Sequence, residues 1–309
     1  GEGSNAAPVV ADVDGNGVAE VGTASTAGPG YLLNRDGSSA LGEGEGGKPL
    51  TFQSTVPSAP SVDQPSFPSL GGGVFGRVGG GDIGFAMGST GLKRLLDVVL
   101  PEQQLGAEDH IAVWDTATGQ YQAGFPALMN DLMFFNTPAI ADVDGDDAAE
   151  VLQGSAMYDL RAYGAAGQVP DGWPKSTGGW IVATPGVGDL DGDGNLDVAI
   201  VTREGNLFVF GTEGDACQDP EWPKYQHDLH NSGDYRTDAR RPGVVTDPVL
   251  EGSTLTFVAS GGDGRCGRAE SFLIKVNGTV VDVDVPPGLP GGAATVELPG
   301  IGPGSVVTV

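Results

Sequence analysis

Short apolar runs alternate with turn residues along the first 240 positions, and their period is that of strands rather than helices. "TPAIADVDGDDAAEVLQGS" (137–155) reads as a strand, an acid-rich turn and a second strand. "TPGVGDLDGDGNLDVAIVT" (184–202) repeats it, and "APVVADVDGNGVAEVGTAS" (7–25) matches both. A further apolar strand follows each: "YLLNRDG" (31–37), "LRAYGAAG" (160–167) and "LFVFGTEG" (207–214). An aromatic–proline pair then closes the unit, at Phe67-Pro68, Phe125-Pro126, Trp173-Pro174 and Trp222-Pro223. The last three pairs are 48 and 49 residues apart.

That spacing points to a fourth unit without acids. After Phe67-Pro68 stands "GGGVFGRVGGGDIGFAMGST" (71–90), which keeps the apolar–glycine rhythm. Arg77, Gly79 and Gly81 take the places of the three leading acids, so this unit is read as one that kept its fold and lost its ion. An insert at 92–104 is expected to add a short helix, and a Gly/Pro/Ser-rich insert at 42–64 to form an exposed loop. Repeats of 40–50 residues with several strands each predict propeller blades, which bury their faces only by stacking. The expected fold is all-β, a partial β-propeller of about four blades over 1–240. The aromatics of the closing pairs are assigned to packing between blades.

After "RRPG" (240–243) the period stops. "VVTDPVLEGSTLTFVAS", "SFLIKVNGTVVDV", "ATVELPG" and "SVVTV" read as alternating strands, with "VNGT" (276–279) as an Asn-Gly hairpin turn. Residues 241–309 are expected to form an incomplete β-sandwich of the immunoglobulin or fibronectin-III kind, with a strand missing and a sheet edge open. The plain reading is a fragment of a larger protein. A bolder one is that neighbouring chains complete the domain ends by self-assembly.

Composition narrows the function. The chain has 41 acidic and 15 basic residues in 309, a net charge of −26. Nucleic acid is an unsuitable partner, because binding phosphate needs a basic footprint. No run of 18 apolar residues occurs, so no membrane-spanning helix is expected. Three divalent ions would still leave the chain at −20, so metal would account for part of the acidity only.

The acid loops carry the chemistry. Carboxylates this close repel one another unless a cation sits among them. The first loop offers Asp12, Asp14, Asn16, the Val18 carbonyl and Glu20. The second offers Asp142, Asp144, Asp146, the Ala148 carbonyl and Glu150. The third offers Asp189, Asp191, Asp193, the Asn195 carbonyl and Asp197. Oxygens at positions 1, 3, 5, 7 and 9 of a tight loop suit calcium, which takes six to eight oxygen ligands; magnesium prefers fewer protein ligands and more water. Position 12, where an EF-hand needs glutamate, holds Thr23, Gln153 and Ile200, so these loops are not EF-hands. The competing reading is three sets of Asx turns with no ion.

The loops "DVDGNGVAE", "DVDGDDAAE" and "DLDGDGNLD", together with "WPKYQHDLHNSGDY" (222–235), resemble the FG-GAP/VCBS family of calcium-loop propellers, which includes the heads of integrin α chains. The resemblance covers about residues 1–240. It implies a secreted or cell-surface location, calcium in the loops and a role in adhesion or ligand display toward a protein or glycan. It also implies six to eight blades, against the four visible here.

Cys217 and Cys266 are the two cysteines, and in a secreted chain they are expected to form a disulfide. No catalytic constellation emerges. The chain has no G-x-S-x-G elbow and no H-E-x-x-H, and "HDLH" (227–230) is assigned to tying down the chain rather than to metal. Two other functions stay open: an accessory region of a secreted hydrolase, and a lectin.

Overall fold

The structure is a computed structural model that describes residues 6–24, 29–54, 71–90, 109–129, 133, 135–285 and 289–309. Its regular structure is strand, apart from two single 3-10 turns at Glu45–Gly47 and Ala165–Gly167, so the chain is all-β. It divides into two compact units, Gly1–Thr237 and Asp238–Val309.

Among the described residues the first unit holds four antiparallel sheets, each a meander in chain order. The first is β1 (Val9–Ala11), β2 (Glu20–Ala24) and β3 (Gly30–Leu33). The second is β4 (Gly73–Gly76), β5 (Gly84–Ser89), β6 (Asp109–Asp115) and β7 (Ala127–Met129). The third is β8 (Ala139–Ala141), β9 (Glu150–Gly154), β10 (Asp159–Tyr163) and β11 (Lys175–Ser176). The fourth is β12 (Gly186–Gly188), β13 (Asn195–Val201) and β14 (Leu207–Asp215). Among the described residues no sheet closes on itself.

The sheets pack face on face, as their alternating side chains require. One core runs through the first three sheets and includes Val9, Leu32, Phe75, Phe85, Ile140 and Val151. A second joins the third sheet to the fourth, with Leu152 and Leu160 against Leu196, Val198 and Ile200. β5 is almost wholly buried and β9 entirely so, because they lie in interior sheets. Glycine lets the sheets approach this closely. A Cβ on Gly22 would lie 2.6 Å from the Phe85 ring, and one on Gly73 would lie 2.0 Å from it.

The insert at 42–64 differs from expectation. Its residues 45–50 are exposed, but Phe52 is only 1% exposed. Its ring stacks on Phe85 at 5.1 Å and Trp114 at 5.3 Å, and the Trp114 indole N–H donates to the Gln53 carbonyl at 2.8 Å. The insert is thus partly core, drawn in by the area one aromatic ring can bury. The helix expected at 92–104, the pair Phe67-Pro68 and residues 55–64 lie outside the described residues. Of the other closing aromatics, Trp222 and Phe125 are buried and Trp173 is half-buried against the second core.

A closing segment, 221–235, bonds to the first strands of all four sheets. Trp222 exchanges two 2.9 Å backbone bonds with Ile140, and the Pro223 carbonyl accepts from Val187. The Glu221 carboxylate accepts from the N–H of Arg77, just past β4. Val10 donates to Gly233 and accepts from Tyr235. "HDLH" lies inside this segment, with His227 and Asp228 both buried. The Asp228 carboxylate accepts from the hydroxyls of Ser232 and Thr237 and from the N–H groups of His230 and Ser232. Burial works to raise its pKa, and these four donors outweigh that, holding it well below the usual carboxylate range.

The second unit is a pair of three-stranded sheets around one core. β15 (Thr246–Glu251), β16 (Thr254–Val258) and β19 (Ala293–Glu297) form one; β17 (Lys275–Val276), β18 (Thr279–Val280) and β20 (Val307–Thr308) form the other. Leu255, Phe257, Ile274 and Val296 fill the space between. Asn277 and Gly278 take φ of 51° and 81°, the left-handed pair that a tight two-residue hairpin demands. Both Cys217 and Cys266 are disulfide-bonded.

Candidate metal centres

The three acid loops are the β1–β2, β8–β9 and β12–β13 hairpins. Ladder pairs fix their ends: Ala11 faces Glu20, Ala141 faces Glu150 and Gly188 faces Asp197. Eight residues therefore lie between the strand partners in each, and the acid at position 9 is the first residue of the second strand in the first two loops and its third residue in the last. Positions 4 and 6 need positive φ. Glycine fills both in the first loop (Gly15, Gly17) and the third (Gly192, Gly194). In the second, Gly145 is followed by Asp147 at φ 69°, a strained conformation for a residue with a Cβ.

One hydrogen-bond scheme recurs in all three. The acid at position 9 accepts from the N–H at position 2: Glu20 from Val13 at 3.1 Å, Glu150 from Val143 at 3.0 Å, Asp197 from Leu190 at 2.8 Å. The acid at position 1 accepts from the turn: Asp12 from Gly17, Asp142 from Gly145 and Asp147, Asp189 from Gly192. Position 5 accepts from position 7, through Asn16 and Val18, Asp146 and Ala148, Asp193 and Asn195. The loop's own N–H groups thus aim the side-chain oxygens inward.

The result is three carboxylate clusters, each with oxygens within 4.8 Å of one another: Asp12, Asp14 and Glu20; Asp142, Asp144 and Asp146; Asp189, Asp191 and Asp197. Each could hold a metal ion. Glu150 and Asp193, expected alongside them, stand outside these triplets. Asp193 is held by both nitrogens of Asn195. Glu150 keeps the same bond from position 2 as Glu20 and Asp197, which are inside their triplets. Asn16 lies on its loop with its amide donating to Asp14 at 2.8 Å. Burial pushes the Glu150 carboxyl up to about 8, against the Val143 N–H, and the charges of Asp144, Asp142 and Asp146 push the same way. Asp144 is raised by burial and then by Asp146. In the first loop one oxygen of Asp12 is buried without a hydrogen-bond partner. Carboxylate oxygens in such a state want a cation.

The fourth loop, between β4 and β5, shows what happens without acids. Gly76 faces Gly84, so the loop is one residue shorter and glycine takes the ninth position. Arg77 turns to Tyr235, whose hydroxyl accepts from its guanidinium at 2.6 Å, and to Glu221 at 3.6 Å. Nothing in the spacing of the sequence marks Tyr235 and Glu221 as its partners. A cavity of about 240 Å³ opens between this loop and the second acid loop, lined by Arg77, Asp142, Asp147, Gln218 and Glu221 among others.

Fold and loops together define an all-β protein with blade-like sheets and three acidic hairpins. No family model and no curated protein matches the chain. Among solved structures it is similar to the Vibrio cholerae biofilm matrix protein Bap1, with 16% identity and a TM-score of 0.41 over 98% of this chain and 50% of that one. It is also similar to BBS1N, solved in complex with ARL6DN, with 9% identity and a TM-score of 0.40 over 84% of this chain and 64% of that one. The chain spans less than two thirds of the length of either. Among the described residues no helix is long and apolar enough to cross a membrane. The disulfide fits an extracellular protein.

Proposed function

We propose that the chain is a non-catalytic, extracellular calcium-binding propeller module that serves adhesion, ligand display or assembly. The observation that carries the calcium reading is the buried, partnerless oxygen of Asp12 inside a hairpin whose geometry recurs twice more. Three carboxylates with a neighbouring amide and backbone carbonyls form an all-oxygen set of the size calcium takes. The ions would neutralise each cluster and fix the hairpin that opens the sheet. They have no reacting group beside them in this reading.

The described aromatics of the closing pairs do not offer a ring face for sugar stacking. Trp222 and Phe125 lie in the core, and the Lys175 ammonium sits over the half-buried Trp173 ring. The test is thermal unfolding in calcium and in excess chelator. A clear fall in Tm on chelation is expected, and an identical melt would remove the calcium reading.

A further inference from the structure

The sheets of the first unit each present two unlike faces. Larger side chains point toward the preceding sheet. They are Phe75, Phe85 and Trp114 in the second sheet, and Ile140, Val151 and Tyr163 in the third. The register-equivalent trio in the fourth is Val187, Val198 and Phe210, packed on the third sheet. Smaller side chains point toward the following sheet: Val74, Ala86 and Val113 in the second, Ala139, Leu152 and Ala162 in the third. Each contact is thus a large face seated on a small one, which is how interdigitating sheets reach interior density.

The two end sheets leave one face of each kind uncovered. On the fourth sheet the small-face trio is Gly186, Ala199 and Val209, with Leu207 beside it. Val209 is 50% exposed and Leu207 66%, whereas their equivalents in the third sheet, Ala162 and Leu160, are 0% exposed. A Cβ built on Gly186 would meet nothing within 4 Å. On the first sheet the large-face trio is Val10, Val21 and Leu33, each only half-buried, where Ile140 and Val151 are 0% exposed and Tyr163 4%. These open faces are the two halves of the contact that the molecule already makes between its own sheets.

We propose that a second copy of this chain seats its first sheet on the fourth sheet of this one, and that the reciprocal contact closes a two-copy ring of eight sheets. Such a contact joins unlike patches, and it ends in a ring when the rotation closes. The proposal gives the assembly part of the proposed function its partner and does not depend on the ion loops.

The test is the mass of the intact chain by size-exclusion chromatography with light scattering, in calcium. Twice the chain mass is expected. Leu207→Lys with Val209→Lys should weaken association at least about tenfold, roughly 1.4 kcal/mol, while circular dichroism and the melt stay those of the folded chain. A photo-cross-linker placed at position 209 should capture a peptide from residues 9–33 of the other copy. A single-chain mass at all concentrations would overturn the proposal. So would a dimer that survives both lysines, or cross-links that fall elsewhere. A dimer in added calcium whose chains bind no calcium would strike the ion reading alone.

Discussion

The β8–β9 hairpin and the β4–β5 hairpin open neighbouring sheets of one stack, yet one carries five acids and the other a single acid, Asp82. Both turn the chain through left-handed residues, Gly145 and Asp147 in one, Gly79 and Gly80 in the other. Both feed a fully paired ladder. The acids are therefore not needed to make the turn or to start the sheet. What differs is the means of closure. The acid-free loop is one residue shorter and directs Arg77 to Tyr235 and Glu221, groups supplied by the closing segment. The acid loop buries carboxylates beside one another, and burial first, then the neighbouring charges, raises Asp144 and Glu150. A loop that accepts this cost, beside one that avoids it, is what the proposed cation would explain.

The largest expected effect comes from taking the ions away. A site filled at a hundred times its Kd contributes about 2.7 kcal/mol, so three sites lower the Tm by on the order of 15 °C when chelated. The second expectation sets position 1 of the two hairpins against each other. Asp142→Ala should cost about 3 kcal/mol in calcium, since it removes a ligand and the acceptor for three turn N–H groups, those of Asp144, Gly145 and Asp147. In chelator the cost should shrink to about 1 kcal/mol. Arg77→Ala should cost under about 1 kcal/mol and the same with or without calcium, because its ion pair is half exposed. Equal responses of the two variants to calcium in denaturant titrations would break the comparison.

Asp228 sharpens it from another side, as a carboxylate satisfied by protein donors alone. Its folded pKa is depressed below the unfolded value. Its contribution is therefore fully present above about pH 4 and is lost as the pH falls from there toward the folded pKa. Asp228→Asn should flatten that acid limb and cost about 2 kcal/mol at neutral pH, with no change in calcium dependence. The smallest effect is expected at Asp147. Asp147→Gly relieves a positive φ and should stabilise the chelated protein by about 0.5 kcal/mol without changing the number of ions bound. A lost ion would show instead that the Asp147 carboxylate is a ligand.

Much of this was legible in the chain. The three acid loops fall where the repeat places them, because a hairpin of fixed length needs its glycines and acids at fixed offsets. The Asn277-Gly278 turn was equally plain, since few residues accept two left-handed positions in succession. Other features were not legible. Glycines at 79, 80 and 81 hide a one-residue deletion, which only the Gly76–Gly84 pairing reveals. Phe52 sits in a stretch with loop composition, and its burial follows from Phe85 and Trp114, which are distant in sequence. The course of 221–235 along the first strands depends on bonds from Trp222 to Ile140 and from Tyr235 to Val10, which no periodicity encodes.

The central claim is that the acid loops hold calcium and the acid-free loop does not. Counting the ions tests it most directly, by isothermal titration calorimetry of the chelated, dialysed chain with calcium chloride. Three calcium ions per chain are predicted, falling to two in Asp144→Asn and staying at three in Arg77→Ala. No saturable binding, or a count unchanged by Asp144→Asn, would contradict it.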